Sequence, residues 1–505
     1  MNILLITADQ WRGDCLSALG HPCLRTPALD RLAAGGVLFR NHYAQCVPCG
    51  PSRASLLTGM YLQNHRSGIN GTPLDARFTN LALEARAAGY RPALFGYTDT
   101  SPDPRGLAPG DPRLRTYENP LPGFDHLLDT ADYGGDWFDH LAELGYALPD
   151  NHLQIYRPAD DADVVTRGPT WPPTRFPVEH SETTFVAERA LDWLRDRDEK
   201  PWFLHLSFLR PHPPYRAPAP YHAMYDPADA PPPVRRESAE AEAAIHPWLA
   251  WCLKQGYHGY GADLGHTAQI RATYYGLMSQ VDDQLARIFA ALEASGQDAE
   301  TLIVFTSDHG ELAGDHWLLG KVGWFDATYH IPLIVRDPRR EADPARGRVV
   351  DRFTESVDIM PTILDLLGRG IPRQCDGRSL RPFLENRTPE DWRRYVHFEC
   401  DFRDPELHLA ERALGLQGDD CLFNVIRDER GKYVHFRALP PLFFDLESDP
   451  GELTDRAGDP AMAQRVLDYA QAMLTWRMGN DERTLTHIKL AHDGPVSDPG
   501  ERSGD

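Results

Sequence analysis

Cys49-Gly50-Pro51-Ser52-Arg53 sets a thiol two residues before a proline and four before an arginine, and runs on into Ala54-Ser55-Leu56-Leu57-Thr58-Gly59. Chance would supply a Cys-x-Pro-x-Arg pattern on the order of a few hundredths of times per chain of this size and composition. Cys46 is an internal control: Pro48 follows it at the same distance, but Gly50 stands where the arginine would be, so Cys46 reads as a buried small residue. A second group of reactive residue types comprises Asp9-Gln10 and the segment Thr306-Ser307-Asp308-His309-Gly310-Glu311. An Asp-His pair alone is usually incidental. Placed after an apolar strand, with a glycine for close backbone approach and another aspartate at an early strand end, it reads as a mixed oxygen and nitrogen metal site. Asp9, Asp308 and His309 are the expected ligands, and the neutral amide of Gln10 is the weakest candidate. An imidazole in the shell favours manganese, zinc or iron, whereas an all-oxygen shell would favour calcium.

These residues need a scaffold that brings them together. Short apolar runs at Ile3 to Thr7, Val37 to Phe39, Pro92 to Tyr97, Trp202 to Phe208, Leu302 to Thr306 and Ile331 to Val335 predict buried strands. Amphipathic stretches fall between them. The clearest predicts a helix from about Thr267 to Ala294, where Leu277, Val281, Leu285, Ile288, Phe289 and Leu292 keep helical spacing for core packing and Gly296 supplies the stop. Such alternation predicts an α/β sandwich around a mostly parallel sheet, with functional residues at the carboxyl ends of strands. Asp9-Gln10, His212 and Asp308-His309 sit just beyond predicted strands, and Tyr97 closes another. The Pro-rich stretches Ser101 to Pro122 and Pro211 to Pro233 are expected to form loops shaping the mouth of the site. After a helix around Val357 to Leu367 the pattern shifts to shorter strands at Tyr395 to Phe398, Tyr433 to Phe436 and Leu442 to Leu446. This predicts a catalytic unit over residues 1–385 and a smaller α+β unit over 386–505, whose last ten residues look disordered.

Composition bounds the partners. The 505 residues are 42% hydrophobic, enough to fill a sizeable core. Lys+Arg 52 against Asp+Glu 74 gives a formal net charge of −22. Nonspecific attraction to nucleic acid or to an anionic membrane is therefore disfavoured, and an anionic substrate must be captured by a locally positive site, for which a bound cation would serve. Met1 to Thr7 is too short and lacks the positive flank of a signal peptide, and no later run is apolar enough to span a bilayer, so the expected compartment is the cytoplasm. Eight scattered cysteines fit reduced thiols better than a disulfide framework.

The Cys49 to Gly59 segment resembles the maturation signature of sulfatases, in which the cysteine is oxidised to formylglycine by a dedicated maturation enzyme. With Asp9-Gln10, Gly13-Asp14, Thr26 to Leu29, Asn64 to Arg66, Asp308-His309, Gly314-Asp315-His316 and Pro332 to Val335, the resemblance covers most of residues 1–380 and is to the sulfatase branch of the alkaline phosphatase superfamily. Cys46 to Pro51, Pro73 to Arg77, Phe95-Gly96-Tyr97-Thr98 and Leu318-Leu319-Gly320-Lys321 look most like its phosphonate monoester hydrolases, which also act on phosphodiesters and aryl sulfates. The resemblance implies an alkaline-phosphatase-like sandwich and one divalent metal. It implies that Cys49, as formylglycine, is both nucleophile and metal ligand, that Arg53 holds the aldehyde hydrate, and that Asp9, Asp308 and His309 complete the metal shell. One hydroxyl of that geminal diol would attack sulfur or phosphorus, and loss of the other proton would re-form the aldehyde and expel the product. Asn70, Tyr97, His212 and Lys321 would surround the substrate, and Gln10 could hydrogen-bond the diol. His212, restrained by prolines in Arg210-Pro211-His212-Pro213-Pro214, is the expected general acid, and Lys321 the cation against a nonbridging oxygen.

One departure bears on substrate choice. Where many arylsulfatases carry Gly-Lys-Trp-His, this chain has Gly96-Tyr97-Thr98-Asp99, so a less positive pocket is expected. Such a pocket suits singly charged sulfate esters, phosphonate monoesters and phosphodiesters and penalises dianionic phosphate monoesters. The leading expectation is a hydrolase of those three classes. A dedicated arylsulfatase with incidental phosphorus activity is the close rival, and a degenerate anion-binding protein is the non-enzyme reading. Similar enzymes form dimers or tetramers, and the same is expected here.

Overall fold

The computed structural model describes residues 1–130, 135–158, 164–197, 201–255 and 264–497. Its centre is a nine-stranded sheet. In chain order the strands are β1 (Asn2–Ala8), β2 (Val37–Tyr43), the short β3 (Cys46–Val47) that belongs to a second sheet, β4 (Pro92–Gly96), β5 (Asp125–Asp129), β6 (Phe203–Phe208), β7 (Thr301–Thr306), β8 (His330–Arg336), β9 (Arg348–Val350) and β10 (Thr354–Glu355). The spatial order is β10-β2-β8-β7-β1-β6-β4-β5, with β9 also paired to β2. Every pair is parallel except those made by β8 with β2 and β7. All six strands predicted from apolar runs are present. The edge strand β5, Asp-His-Leu-Leu-Asp, escaped notice because its sequence is too polar to stand out.

Period-two alternation divides the core between the two faces of the sheet. Leu4, Ile6, Leu204, Leu206, Ile303 and Phe305 point to one face, where the helices Glu182–Arg195 and Thr267–Ala294 cover them. Ile3, Leu5, Phe203, Leu302 and Val304 point to the other, beneath the helices Cys49–Thr58, Leu81–Ala87 and Ile359–Leu366. The long helix ends at Ala294 as expected, and Gly296 takes the left-handed conformation that lets the chain turn away.

Smaller strands form the second sheet: β11 (Val396–Asp401), β12 (Leu422–Arg427), β13 (Lys432–Phe436) and β14 (Leu442–Phe444), in the order β14-β13-β12-β11-β3. Its edge strand β3 comes from the N-terminal part of the chain, running parallel to β11 with Cys46 opposite Glu399. The residues just before the helix Cys49–Thr58 are therefore pinned to this sheet. The helix Ala463–Gly479 packs on it through Tyr469 and Met473. The Pro-rich stretches are loops broken by short 3-10 turns, as expected. Of the ten final residues, Val496 and Ser497 belong to a hairpin strand, and 498–505 lie outside the described residues.

Gly96, the last residue of β4, has φ +105 and lies so close to β6 that an added Cβ would come 2.2 Å from the Ser207 carbonyl oxygen. Both the backbone angle and the space require glycine. Gly96→Ala should therefore destabilise the fold by about 1–3 kcal/mol or more, read as a lowered denaturation midpoint. An unchanged midpoint would show that β4 can part from β6 without cost.

Candidate active site

Strand order explains how the site assembles. β7, β1, β6 and β4 are consecutive neighbours, and each ends just before a reactive side chain: Asp308 and His309 after β7, Asp9 and Gln10 after β1, His212 after β6, Tyr97 and Asp99 after β4. β1 and β7 are in register at Thr7 and Thr306, which puts Asp9 level with Asp308. Cys49 arrives from another direction, as the first residue of the helix Cys49–Thr58, where unpaired backbone N–H groups favour negative charge.

Four of the expected residues converge. One ligand atom from each of Asp9, Cys49, Asp308 and His309 falls within a span of 4.8 Å, and all four residues are buried. His309 Nε2 lies 3.3 Å from Cys49 Sγ and 3.7 Å from Asp9 Oδ1. Its other nitrogen, Nδ1, is 3.1 Å from the Gly310 carbonyl oxygen and donates to it, so the lone pair is on Nε2 and faces the cluster. Asp9 Oδ1 is buried with no hydrogen-bond partner. A buried carboxylate oxygen without a donor is costly, and a cation at the cluster would satisfy it. The donor set of two carboxylates and one neutral imidazole therefore fits a divalent metal ion.

Arg53 lies one helical turn after Cys49 and is buried. Its Nε donates to Asp308 Oδ2 at 2.9 Å, one terminal nitrogen to Asp9 Oδ2 at 3.1 Å, and the other to the Tyr97 carbonyl at 3.0 Å and Ser207 Oγ at 2.8 Å. Its donors thus serve the two acidic members of the cluster and the ends of β4 and β6. Tyr97 donates its hydroxyl to Asp9 Oδ2 at 2.7 Å and lies under the guanidinium, 4.4 Å from ring centroid to Cζ. Asn70 accepts from Gly50 N at 2.9 Å, bracing the turn that carries Cys49.

Opposite the metal cluster stands Lys321, whose Nζ is 3.0 Å from Cys49 Sγ, 3.1 Å from Gln10 Oε1 and 3.1 Å from His212 Nε2. His212 Nδ1 donates to the Pro213 carbonyl at 2.7 Å, which leaves Nε2 to accept from Lys321. Sequence reasoning passed over three supports. Ser207 is an acceptor for Arg53, and Ser52 donates to the Asp308 carbonyl at 2.5 Å. Glu311, fully buried, accepts from Gly320 N at 2.6 Å, Ala313 N at 2.7 Å and the Gln10 side-chain amide. Only Glu311 left a signal, as an acid directly beside Asp308-His309-Gly310. The control residue Cys46 is buried, its sulfur 3.4 Å from Ser55 Oγ.

Burial dominates the electrostatics. It pushes the Cys49 thiol well above its ordinary range, reinforced by Asp9, so an unmodified thiol here is a poor nucleophile. Burial lowers His309 to about 3, keeping the ring neutral for ligation. Burial, and then Lys321, holds His212 well below its usual range, so the proton between this pair rests on Lys321. Asp9 is raised to about 7 by burial and by the charge of Asp308. Asp308 goes the other way: burial opposes its ionisation, but His309, Arg53 and Lys321 hold its carboxyl below the usual range.

Comparison with known proteins follows the same geometry. Residues 1–369 match the family model described as Sulfatase, and residues 314–478 match one described as N-sulphoglucosamine sulphohydrolase, C-terminal. The multifunctional alkaline phosphatase superfamily protein PehA of Trinickia caryophylli is 48% identical, with 98% of each chain covered. An arylsulfatase of Clostridium perfringens is 30% identical over 98% of both chains. The phosphonate monoester hydrolase of Agrobacterium radiobacter superposes with a TM-score of 0.93 at 46% identity, covering 98% of this chain and 99% of that one.

A proton on Asp9 competes with an ion. With its carboxyl raised to about 7, the affinity of the purified protein for Mn²⁺ or Zn²⁺ should fall about tenfold for each pH unit below 7, measured by titration calorimetry. Affinity that stayed flat from pH 7 to pH 5.5 would show that no proton on Asp9 competes with the ion in that range.

Proposed function

We propose, for a chain that belongs to the sulfatase family of the alkaline phosphatase superfamily, a formylglycine- and metal-dependent hydrolysis of phosphonate monoesters, phosphodiesters and sulfate esters. The chain is a hydrolase acting on ester bonds. The observation that carries the finer reading is the position of Cys49 Sγ, in contact with His309 Nε2 on one side and Lys321 Nζ on the other. That sulfur stands in for the oxygens of a formylglycine hydrate, which would supply an attacking hydroxyl and a second hydroxyl for product release. A divalent ion held by Asp9, Asp308, His309 and residue 49 would supply Lewis acidity; the imidazole favours manganese, zinc or iron, with calcium also compatible with the carboxylates.

The remaining chemistry falls to the chain's own residues. Arg53 and Tyr97 keep Asp9 oriented, and Arg53, after His309, helps hold Asp308 ionised against its burial. Lys321, steadied by Gln10, places its charge where a nonbridging oxygen gains negative charge in the transition state. An anionic ester against Lys321 offsets the cation that keeps His212 neutral. His212 Nε2 can then take a proton and pass it to the leaving oxygen. Asn70 holds the Gly50 amide and thereby the helix N-terminus on which residue 49 sits.

Peptide mass spectrometry across residues 49–53, on protein made with an active maturation enzyme, should find an aldehyde in place of the thiol. Cys49→Ala should lower turnover by roughly a thousandfold or more. An unmodified thiol in active enzyme would end the reading. The arylsulfatase relative supports a narrower alternative, a dedicated sulfatase. Specificity constants for phenyl phenylphosphonate and 4-nitrophenyl sulfate separate the two, and dominance of the sulfate would favour the narrower one.

All eight cysteines are free, which supports a reducing compartment such as the cytoplasm. Among the described residues no helix is long and apolar enough to cross a membrane. Among the described residues the C-terminal hairpin Ile488–Ala491 and Gly494–Ser497 pairs only with itself, and it exposes Ile488, Leu490 and Val496. A lone two-stranded hairpin is marginal in water, and helix Ala463–Gly479 exposes Leu467, Leu474 and Met478. These features support a homo-oligomer, a dimer or tetramer. Light scattering should give a multiple of the 56.8 kDa chain mass, and ending the chain after Arg483 should reduce it. A full-length monomer would refute this part.

A further inference from the structure

Arg53 faces three carboxylates where the metal cluster uses two. Besides Asp9 and Asp308, the Asp99 carboxylate lies with Oδ2 3.6 Å from Arg53 Nε. The Nε hydrogen is committed to Asp308 at 2.9 Å, so Asp99 meets Arg53 through charge rather than as an acceptor from Nε. Asp99 is not a member of the ligand cluster, yet it is buried, and a buried carboxylate is costly unless something requires it. Its backbone is left-handed, with φ +50, a conformation that aspartate and asparagine tolerate best among residues with a Cβ. Its carbonyl presses on the turn beside the nucleophile: a Cβ added to Gly50 would lie 2.9 Å from Asp99 O. Burial, and then the charge of Asp9, hold the Cys49 thiol and the Tyr97 hydroxyl above their usual ranges, and the charge of Asp99 adds a smaller push in the same direction.

We infer that Asp99 is a specificity-determining residue whose charge turns the site against doubly charged phosphate monoesters and in favour of singly charged esters. The inference rests on the hydrolase activity proposed above and assigns its charge preference to one side chain. Arg53, Lys321 and a divalent ion bring four positive charges to the site, from which Asp9, Asp308 and Asp99 take three. A singly charged ester cancels the remainder, and a doubly charged one overshoots it. Without Asp99 a dianion would be matched. Within a few ångströms, in surroundings less polarisable than water, one unmatched charge changes binding about tenfold or more.

Asp99→Asn keeps the shape and the backbone preference and removes the charge; Asp99→Gly tolerates the left-handed backbone and removes the charge together with the side chain. At pH 8.5 a phosphate monoester is a dianion, because its second pKa is about 6. There the ratio of kcat/KM for 4-nitrophenyl phosphate to that for 4-nitrophenyl sulfate should rise about tenfold or more in both variants. Bis(4-nitrophenyl) phosphate, singly charged at the same pH, should show no such rise relative to 4-nitrophenyl sulfate in either variant. Asp99→Glu, which retains the charge, should leave the ratio at pH 8.5 near the parent value. If both rates fall together and the ratio stays within about twofold, Asp99 is a packing residue and the inference is overturned. A parent enzyme inactive on both esters would instead defeat the proposed function itself.

Discussion

The site depends on one buried guanidinium. Arg53 is 2% exposed and is surrounded by Asp9, Asp99 and Asp308, so the cost of burying each charge is offset by the others. Were Arg53 lost, the three carboxylates would repel one another in a medium of low polarisability, and protonation would be their cheapest relief. The metal cluster would then lose its charge before any ion reached it. The spacing of the Cys-x-Pro-x-Arg pattern follows from the same contact. Cys49 and Arg53 are four apart on one helix, hence on the same face one turn from each other. The Cys49 sulfur stands against the buried cluster, and the guanidinium that pairs with its carboxylates lies one turn further along the same helix.

Lys321 requires a different kind of support, because it sits on a loop rather than at a strand end. The loop is tied at several points. Glu311 holds the Gly320 amide, and Asp315 pairs with Arg12 at 2.7 Å and Arg271 at 2.5 Å. His316 contacts Glu242 through Nδ1 at 2.7 Å and stacks on Phe325 at 3.6 Å between centroids. Most of these ties are buried, where hydrogen bonds between charged groups are strong and water does not compete. The ammonium is thereby fixed before substrate arrives, which is what electrostatic stabilisation of a transition state requires.

How much of this was legible in the sequence depended on range. Strands β1, β6 and β7 announce themselves because buried parallel strands are apolar runs, and the reactive residues after them are read by adjacency. The Cys49 motif and the Asp308-His309 pair are local patterns of the same kind. Ser207 has no such mark: it becomes an acceptor for Arg53 only because β6 lies between β1 and β4, a fact of strand order. Glu311 could be seen as an acid in the right segment, but its three donors come from residues 10, 313 and 320, and no spacing predicts that. The side-chain direction of Asp99 was unreadable because it follows from a left-handed backbone angle three residues past β4. Tyr97 and Arg53 show a subtler limit. Both were assigned to the site from pattern, yet their polar atoms face the ligand carboxylates, so their proximity to chemistry was legible and their partners were not.

With a divalent ion bound, the site charge would be opposite in sign to the whole-chain charge, and the contrast has a physical consequence. A net −22 repels anionic esters at long range, but screening confines that field to about 8–10 Å at physiological ionic strength. Inside that distance the helix N-terminus at Cys49, the Lys321 ammonium and the cluster of ion ligands determine what an anion feels. Polyanions such as nucleic acids extend beyond the screened zone and meet the acidic surface along their length, whereas a small ester fits within the locally positive region. Selection for small substrates therefore begins with the charge distribution, before the shape of the Pro-rich loops at the mouth comes into play.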